Sequence, residues 1–223
     1  MNPNLSVIIP LSVEERDFEP LIHSLLKAKE ITEVVLSIPQ GATIPDGLKI
    51  HPKLRFIVGD RGRAQQLNRG AAAASGDFLW FVHADSLVTP EAIRALTRSL
   101  IAQPNALYYF DLVFRDDGPS LMWLTQLGVW FRSHLFGLPF GDQGFCLPKA
   151  LFNELRGFDE EAIVGEDHLF VWKAKRAKMP IISVGACLLT SARKYARGGW
   201  LQVTIKHFWI TWTQVAAEWQ KGS

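Results

Sequence analysis

Three short runs of this sequence carry residue types that do chemistry rather than packing. His83-Ala84-Asp85 sets an imidazole and a carboxylate two positions apart, at the end of the uncharged run that begins at Phe78. Both groups ligate metals, and an extended strand would turn the two to one face. The plainer alternative is that Asp85 caps the following turn, which Ser86 and Thr89-Pro90-Glu91 favour. Gly59-Asp60-Arg61-Gly62-Arg63 is a glycine-containing basic turn that opens a helix through Ala64 to Ala74. Free N–H groups and the helix dipole make such a start an anion site, with arginines beside it. A solvated basic turn is the alternative, and the glycine spacing matches neither a P-loop nor a dinucleotide fingerprint. Gly165-Glu166-Asp167 places two acids where a helix should begin, and capping alone would account for them.

Groups of this kind act only when rigid elements deliver them. The run ending at His83 has no charge and no alternation, the mark of a strand covered on both faces in a parallel sheet. Ligands bind just past the carboxyl ends of such strands. Further strands are expected at Leu5–Pro10, Glu33–Ile38, Leu54–Val58, at Ala106–Phe114 along a sheet edge, at Phe145–Pro148, at Ile181–Val184 and at Cys187–Thr190. Helices are expected from an Asp17 cap to Lys29, from Pro90 to Ala102 behind Thr89, from Lys149 to Leu155 and from Gly165 to Lys178. Gly70 and the alanines from Ala71 to Ala74 would let their helix lie close to the sheet. Strand and helix alternate, so the fold class is α/β with a mainly parallel sheet.

Residues 121–140 and 200–219 hold six of the eight tryptophans. Leu201, Ile205, Phe208, Trp209, Trp212, Val215, Ala216 and Trp219 recur at steps of three and four, an amphipathic C-terminal helix. The two segments packing on each other as core is one reading. The other is contact with a lipid headgroup boundary, because both mix Trp with Lys, Arg or His. No uncharged run is long enough to span a bilayer, and no secretory signal precedes the first strand. Two lone thiols, Cys146 and Cys187, form no disulfide framework and no zinc spacing, which suits a reducing cytoplasm. The net charge of +2 is unevenly spread. Residues 1–172 hold 15 Lys/Arg against 21 Asp/Glu, and residues 173–223 hold 9 against Glu218 alone. A basic tail of +8 behind a body of −6 suggests a phosphate-bearing or anionic partner, and no motif supports nucleic acid.

Read together, Ser6-Val-Ile-Ile-Pro10 with Glu14-Glu15, Gly62-Arg63-Ala-Gln-Gln-Leu-Asn68-Arg-Gly70 and His83-Ala-Asp85 resemble family 2 glycosyltransferases of the GT-A fold. Gly141-Asp-Gln-Gly144, Gly165-Glu-Asp167 and Thr190-Ser-Ala-Arg-Lys194 extend the match. The sequence looks most like a small bacterial subgroup in which the Asp-X-Asp metal motif reads His-Ala-Asp. The resemblance implies a GT-A domain over residues 1–190, with a basic loop and C-terminal helix, 191–223, packed on it. It implies transfer of a sugar from a nucleotide-diphosphate donor to an acceptor hydroxyl, with inversion. Asp85, with His83, would hold Mn²⁺ or Mg²⁺. Pro10, Glu14, Arg63, Asn68, Asp85 and Arg193 would contact the donor, Asp142 and Gln143 the acceptor. Asp167 would be the base, with Glu166 orienting it. Two family positions differ: Leu36-Ser-Ile-Pro-Gln-Gly41 has no acid after the second strand, and Leu11-Ser12-Val13 has no Asn before Glu14. The expected setting is the cytoplasm, with contact at the inner face of the membrane and a lipid-linked acceptor. Rival readings are a non-catalytic binding protein on the same fold, a metal-dependent hydrolase using His83, Asp85 and His168, and a membrane-anchoring adaptor.

Overall fold

The sheet grows outward from β1 (Leu5–Pro10), in which Leu5, Val7, Ile8 and Ile9 are all sealed from solvent. The computed structural model describes residues 3–12, 18–42, 51–162 and 164–202. In chain order the next elements are α1 (Glu19–Lys27), β2 (Ile31–Pro39), β3 (Leu54–Gly59), α2 (Arg63–Ala73), β4 (Phe78–Phe81) and α3 (Pro90–Ala102). Then come β5 (Leu107–Phe114), α4 (Met122–Phe136), β6 (Cys146–Pro148), α5 (Lys149–Glu154), α6 (Glu166–Arg176), β7 (Ile181–Thr190) and α7 (Arg193–Gly198).

The strands form one mixed, mostly parallel α/β sheet in the order β3-β2-β1-β4-β6-β5-β7. Strands β3, β2, β1 and β4 are parallel neighbours, β6 is antiparallel to both β4 and β5, and β5 runs parallel to β7. This architecture is that of the GT-A fold. Alternate β1 residues feed two cores. Val7 and Ile9 join Leu21, Ile22, Leu25, Ile93, Leu96 and Trp80 under α1 and α3. Ile8 joins Leu67, Phe81, Phe152, Phe158 and Phe170 on the side of α2, α5 and α6. Full burial of each such aliphatic side chain contributes roughly 1.5–3 kcal/mol.

Helix α2 lies as close to the sheet as its small residues suggest. A Cβ at Gly70 would fall 2.5 Å from Ile8 Cγ2, so even alanine there would push the helix off β1. Thr89 caps α3 by accepting from the Ala92 amide at 3.2 Å.

Four expectations change. The strand at Ala106–Phe114 is not an edge: β5 lies inside, and β7 takes the edge. The two last strands are one, because residues 184–186 bulge out between the Tyr109–Ser183 and Asp111–Cys187 pairs, with Gly185 at φ +70°. The segment after Thr190, read as loop, turns one short helix at α7, and the Asp17 cap and most of the C-terminal helix (203–223) lie outside the described residues. Finally, α4 is core only in part: Met122 is buried with Trp200 packed beside it, Trp200 Nε1 donating to Thr125 Oγ1 at 2.8 Å, while Trp123, Leu127, Trp130, Phe131, Leu135 and Phe136 are exposed, Leu135 by 64%.

Candidate active site

Strand β4 stops at Phe81, held by Phe81 N–H donating to Phe145 O (2.8 Å) and Val82 N–H to Ile8 O (3.0 Å). His83-Ala84-Asp85 therefore lies in a turn closed by Ser86 N–H on His83 O at 3.1 Å, not on the strand itself. Strand alternation does not orient His83 and Asp85; the turn does, and both end half-buried.

Helix α2 starts at Arg63, and this arginine ties three segments together. Its Nε lies 2.9 Å from Glu166 Oε1 at the start of α6, and its Nη2 meets His83 Nε2. A guanidinium only donates, so the His83 nitrogen facing it accepts. Beside this pair, the Gly141 amide donates to Asp167 Oδ2 at 2.7 Å, and the His168 amide to Asp167 Oδ1 at 2.8 Å. Glycine is required at 141, because a Cβ there would sit 2.9 Å from Asp167 Oδ2 and 3.2 Å from Arg63 Nη2. The basic turn, the His-Ala-Asp run, the Gly-Asp-Gln-Gly run and the Gly-Glu-Asp run thus meet at one edge of the sheet.

Behind them sits a strained charge cluster. Asp142 Oδ1 is sealed from solvent and, among the described residues, accepts no hydrogen bond. Burial pushes the Asp142 carboxyl above its usual range; Arg132 and Arg63 oppose this, while Asp167 and Asp85 add to it. Burial likewise pulls the Arg132 guanidinium down to about 10, against the attraction of Asp142 and Asp167. Arg132 lies 3.3 Å above the Phe140 ring and donates to Gln143 Oε1 at 3.2 Å. Nearby, Tyr195 is raised to about 12 by burial and by the charge of Asp142.

Other expected site residues have structural partners. Gln143 is buried and held by both ends of its amide: Oε1 accepts from Arg132, Ser133 (2.9 Å) and the Phe140 amide (3.0 Å), and Nε2 donates to Phe110 O (3.0 Å). Asn68 clamps the loop before α6, donating to Phe158 O (2.9 Å) and Glu160 Oε1 (2.8 Å) and accepting from Phe158 N–H (2.9 Å). Arg193 reaches Ser191 Oγ at 2.9 Å and lies 3.9 Å from Asp117. Pro10 ends β1 opposite Ser37, and Glu14 lies outside the described residues. His168 is buried rather than on the helix surface, with Trp172 Nε1 donating to its Nε2 at 3.3 Å. Among the described residues no three His, Cys, Asp or Glu side chains gather to hold a metal, so the three-ligand hydrolase site is not formed there. A smaller set remains. Asp85 acts electrostatically on Asp142, whose Oδ1 accepts no hydrogen bond among the described residues.

Two side chains were not singled out by pattern. Gln66 Nε2 donates to Leu11 O and Ser37 O, both at 2.7 Å, pinning the ends of β1 and β2 where the family's acid is missing. Its sequence signal, a polar residue on the buried face of an alanine-rich helix, is slight. Arg132 had a clearer one, being the sole Lys, Arg, Asp or Glu between Leu121 and Phe140.

The Glycosyl transferase family 2 model matches residues 6–154, more than half of the chain. The match takes in β1 to α5 and ends before Glu166 and Asp167. No curated protein matches the sequence. No described helix is long and apolar enough to cross a membrane.

Proposed function

Because the chain belongs to glycosyl transferase family 2, we propose that it moves a sugar from a nucleoside-diphosphate sugar to an acceptor hydroxyl, with inversion and with a divalent cation. The observation that carries this is Arg63, which opens α2 while bridging His83 and Glu166. A sugar C1–oxygen bond to phosphate breaks readily only where negative charge on the leaving diphosphate is neutralised. Arg63 and the free amides of the α2 start supply fixed positive charge for that purpose. Glu166 holds the guanidinium in place, a different task from the orienting of Asp167 that the resemblance implied. Asp85, with Asp142 behind it, would hold Mn²⁺ or Mg²⁺, which when bound adds charge against the diphosphate.

Asp167 takes the proton of the acceptor hydroxyl as its oxygen attacks C1 from the face opposite the diphosphate. The Gly141 amide fixes the carboxylate for this step. Arg193, on the segment after β7, is a second diphosphate contact that must leave Asp117 to act. The acceptor is amphipathic, in keeping with the exposed apolar face of α4 beside the site and the basic tail after residue 172.

Thermal shift with a panel of nucleoside diphosphates and sugar nucleotides, with and without Mn²⁺, tests the reading. One nucleotide class should raise the melting temperature in a metal-dependent way. Asp85→Ala should remove that dependence with the fold intact. No shift with any nucleotide, and no release of nucleoside diphosphate from any donor, would leave a non-catalytic relative instead.

A further inference from the structure

A groove of about 570 Å³ runs between β5 and α4, within the range of small-molecule sites. Leu112 and Val113 form its floor, and Trp123, Leu127 and Trp130, at steps of four and three, form one wall of α4. Its position follows from the sheet. Trp80, Cys146 and Tyr108 lie on one rung, and β4 and β5 run in the same direction because each is antiparallel to β6. Asp111 to Val113 therefore lie three to five residues past the rung on β5, as His83 to Asp85 do after β4. Both reach the same edge. Gln143 lines the groove and is the chain neighbour of Asp142, so the groove and the reaction centre share the 141–144 turn.

The chemistry of its occupant is restricted by what the polar walls already do. Gln143 Oε1 already accepts three bonds and its Nε2 donates one. Asp111 Oδ1 accepts from Ser183 Oγ (3.4 Å) and pairs with His134 Nε2 (2.7 Å), and Gln126 Oε1 takes the Phe114 amide (3.4 Å). Leu112, Val113 and Leu127 offer a sugar ring no polar partner, and Asp111 Oδ1, Gln126 Oε1 and Gln143 Oε1 are already taken. An apolar chain needs none. Helix α4 contains no acid, and its two basic side chains are partnered, Arg132 with Gln143 and His134 with Asp111. The wall therefore continues as an uncharged strip about 22 Å long, from 15 residues at 1.5 Å each.

We propose that this groove holds the apolar chain of the acceptor, laid along α4 with its hydroxyl end delivered past Gln143 to Asp167. The acceptor part of the proposal rests on the glycosyl-transfer reading; the chain-binding part does not. Titration with monomeric 11-bromo-1-undecanol tests it, because bromine quenches tryptophans it touches. The full chain should show saturable quenching, and Leu127→Arg, at a position 46% exposed and tolerant of charge, should weaken it at least tenfold. The nucleoside-diphosphate melting shift should be the same in both proteins. Quenching that does not saturate, or that survives Leu127→Arg unchanged, overturns the groove. So does an absence of quenching, the result expected if residues 203–223 fill it. Sedimentation with phosphatidylglycerol vesicles without quenching by the monomeric probe would make α4 a membrane-contact face and also overturn it. Saturable quenching in a protein that binds no nucleotide would keep the chain site and overturn its acceptor role.

Discussion

Two carboxylates at opposite ends of the sheet, Glu33 buried and Asp142 half-buried with one oxygen sealed, are treated in opposite ways. Glu33, on β2, is met from every side: Ser75 N–H (2.5 Å), Ser75 Oγ (2.8 Å), Ser6 Oγ (2.7 Å) and Arg55 Nη1 (3.1 Å) all donate to it. Burial would raise its pKa, but these donors outweigh burial and bring it to about 2. Asp142, at the His83–Asp85 end, is left with a sealed oxygen and no donor, and burial wins. The Glu33 end spends its polar groups on each other and gains stability. The Asp142 end holds charge unsatisfied, as a site must if a ligand is to complete it. The contrast is testable from both sides.

The largest effect should come from the unsatisfied end. Asp167→Asn should keep nucleoside-diphosphate binding but lose transfer by roughly two to four orders of magnitude, the scale of general-base removal. Product formation under single-turnover conditions reads it. If Glu166→Gln is inactive and Asp167→Asn is active, the base and its neighbour exchange roles.

Next is Glu33. Its folded pKa of about 2 lies below the ordinary 4.5, so its contribution is present above 4.5 and fades as pH falls from there toward 2. That contribution is on the order of 3 kcal/mol. Glu33→Gln should lower the melting temperature at pH 7, flatten the loss of stability between pH 4.5 and 2, and leave nucleotide affinity unchanged. A change in affinity with equal stability would erase the distinction between the two ends.

Arg63→Ala should weaken nucleoside diphosphate binding about tenfold, the value of one charge-assisted contact, and leave the bare nucleoside unaffected. Equal losses for both by calorimetry would make Arg63 a structural tie among α2, His83 and Glu166.

The two ends were unequally legible. β-branched runs and the Thr89 cap of α3 pointed to the layers directly, because burial on both faces and N-cap chemistry are local signals. The position of β5 was not local. Nothing within Ala106–Phe114 says that β6 will insert beside it and β7 beyond it. The His-Ala-Asp run was visible as chemistry, but its geometry depended on a strand that stops four residues in, at Phe81. Glu33 drew no notice, because a lone acid at a strand start looks solvated until Ser6 and Ser75 are brought to it from 27 and 42 residues away. Asp142 reads in sequence only as an acceptor contact and Arg132 carries no role there; only folding brings the two half-buried side chains together.

The smallest effect is the one that bears most directly on the contrast. Asp142→Asn keeps the shape of the side chain and removes the charge that burial penalises. The folded pKa of Asp142 is raised, so its ionised form is a liability, absent below the ordinary 3.8 and growing as pH rises toward the shifted value. The slope is opposite to that of Glu33. At pH 7 the amide should therefore be neutral to stabilising, because the burial cost relieved offsets the attraction lost to Arg132. Transfer should fall all the same, because a neutral amide no longer offsets Arg132 or supports Asp85. Melting curves at pH 5 and 7 read the first effect, and metal dependence of nucleotide binding reads the second. A destabilised variant with unchanged metal dependence would mean that Asp142 serves the fold as Glu33 does, and that the two ends differ only in how completely they are satisfied.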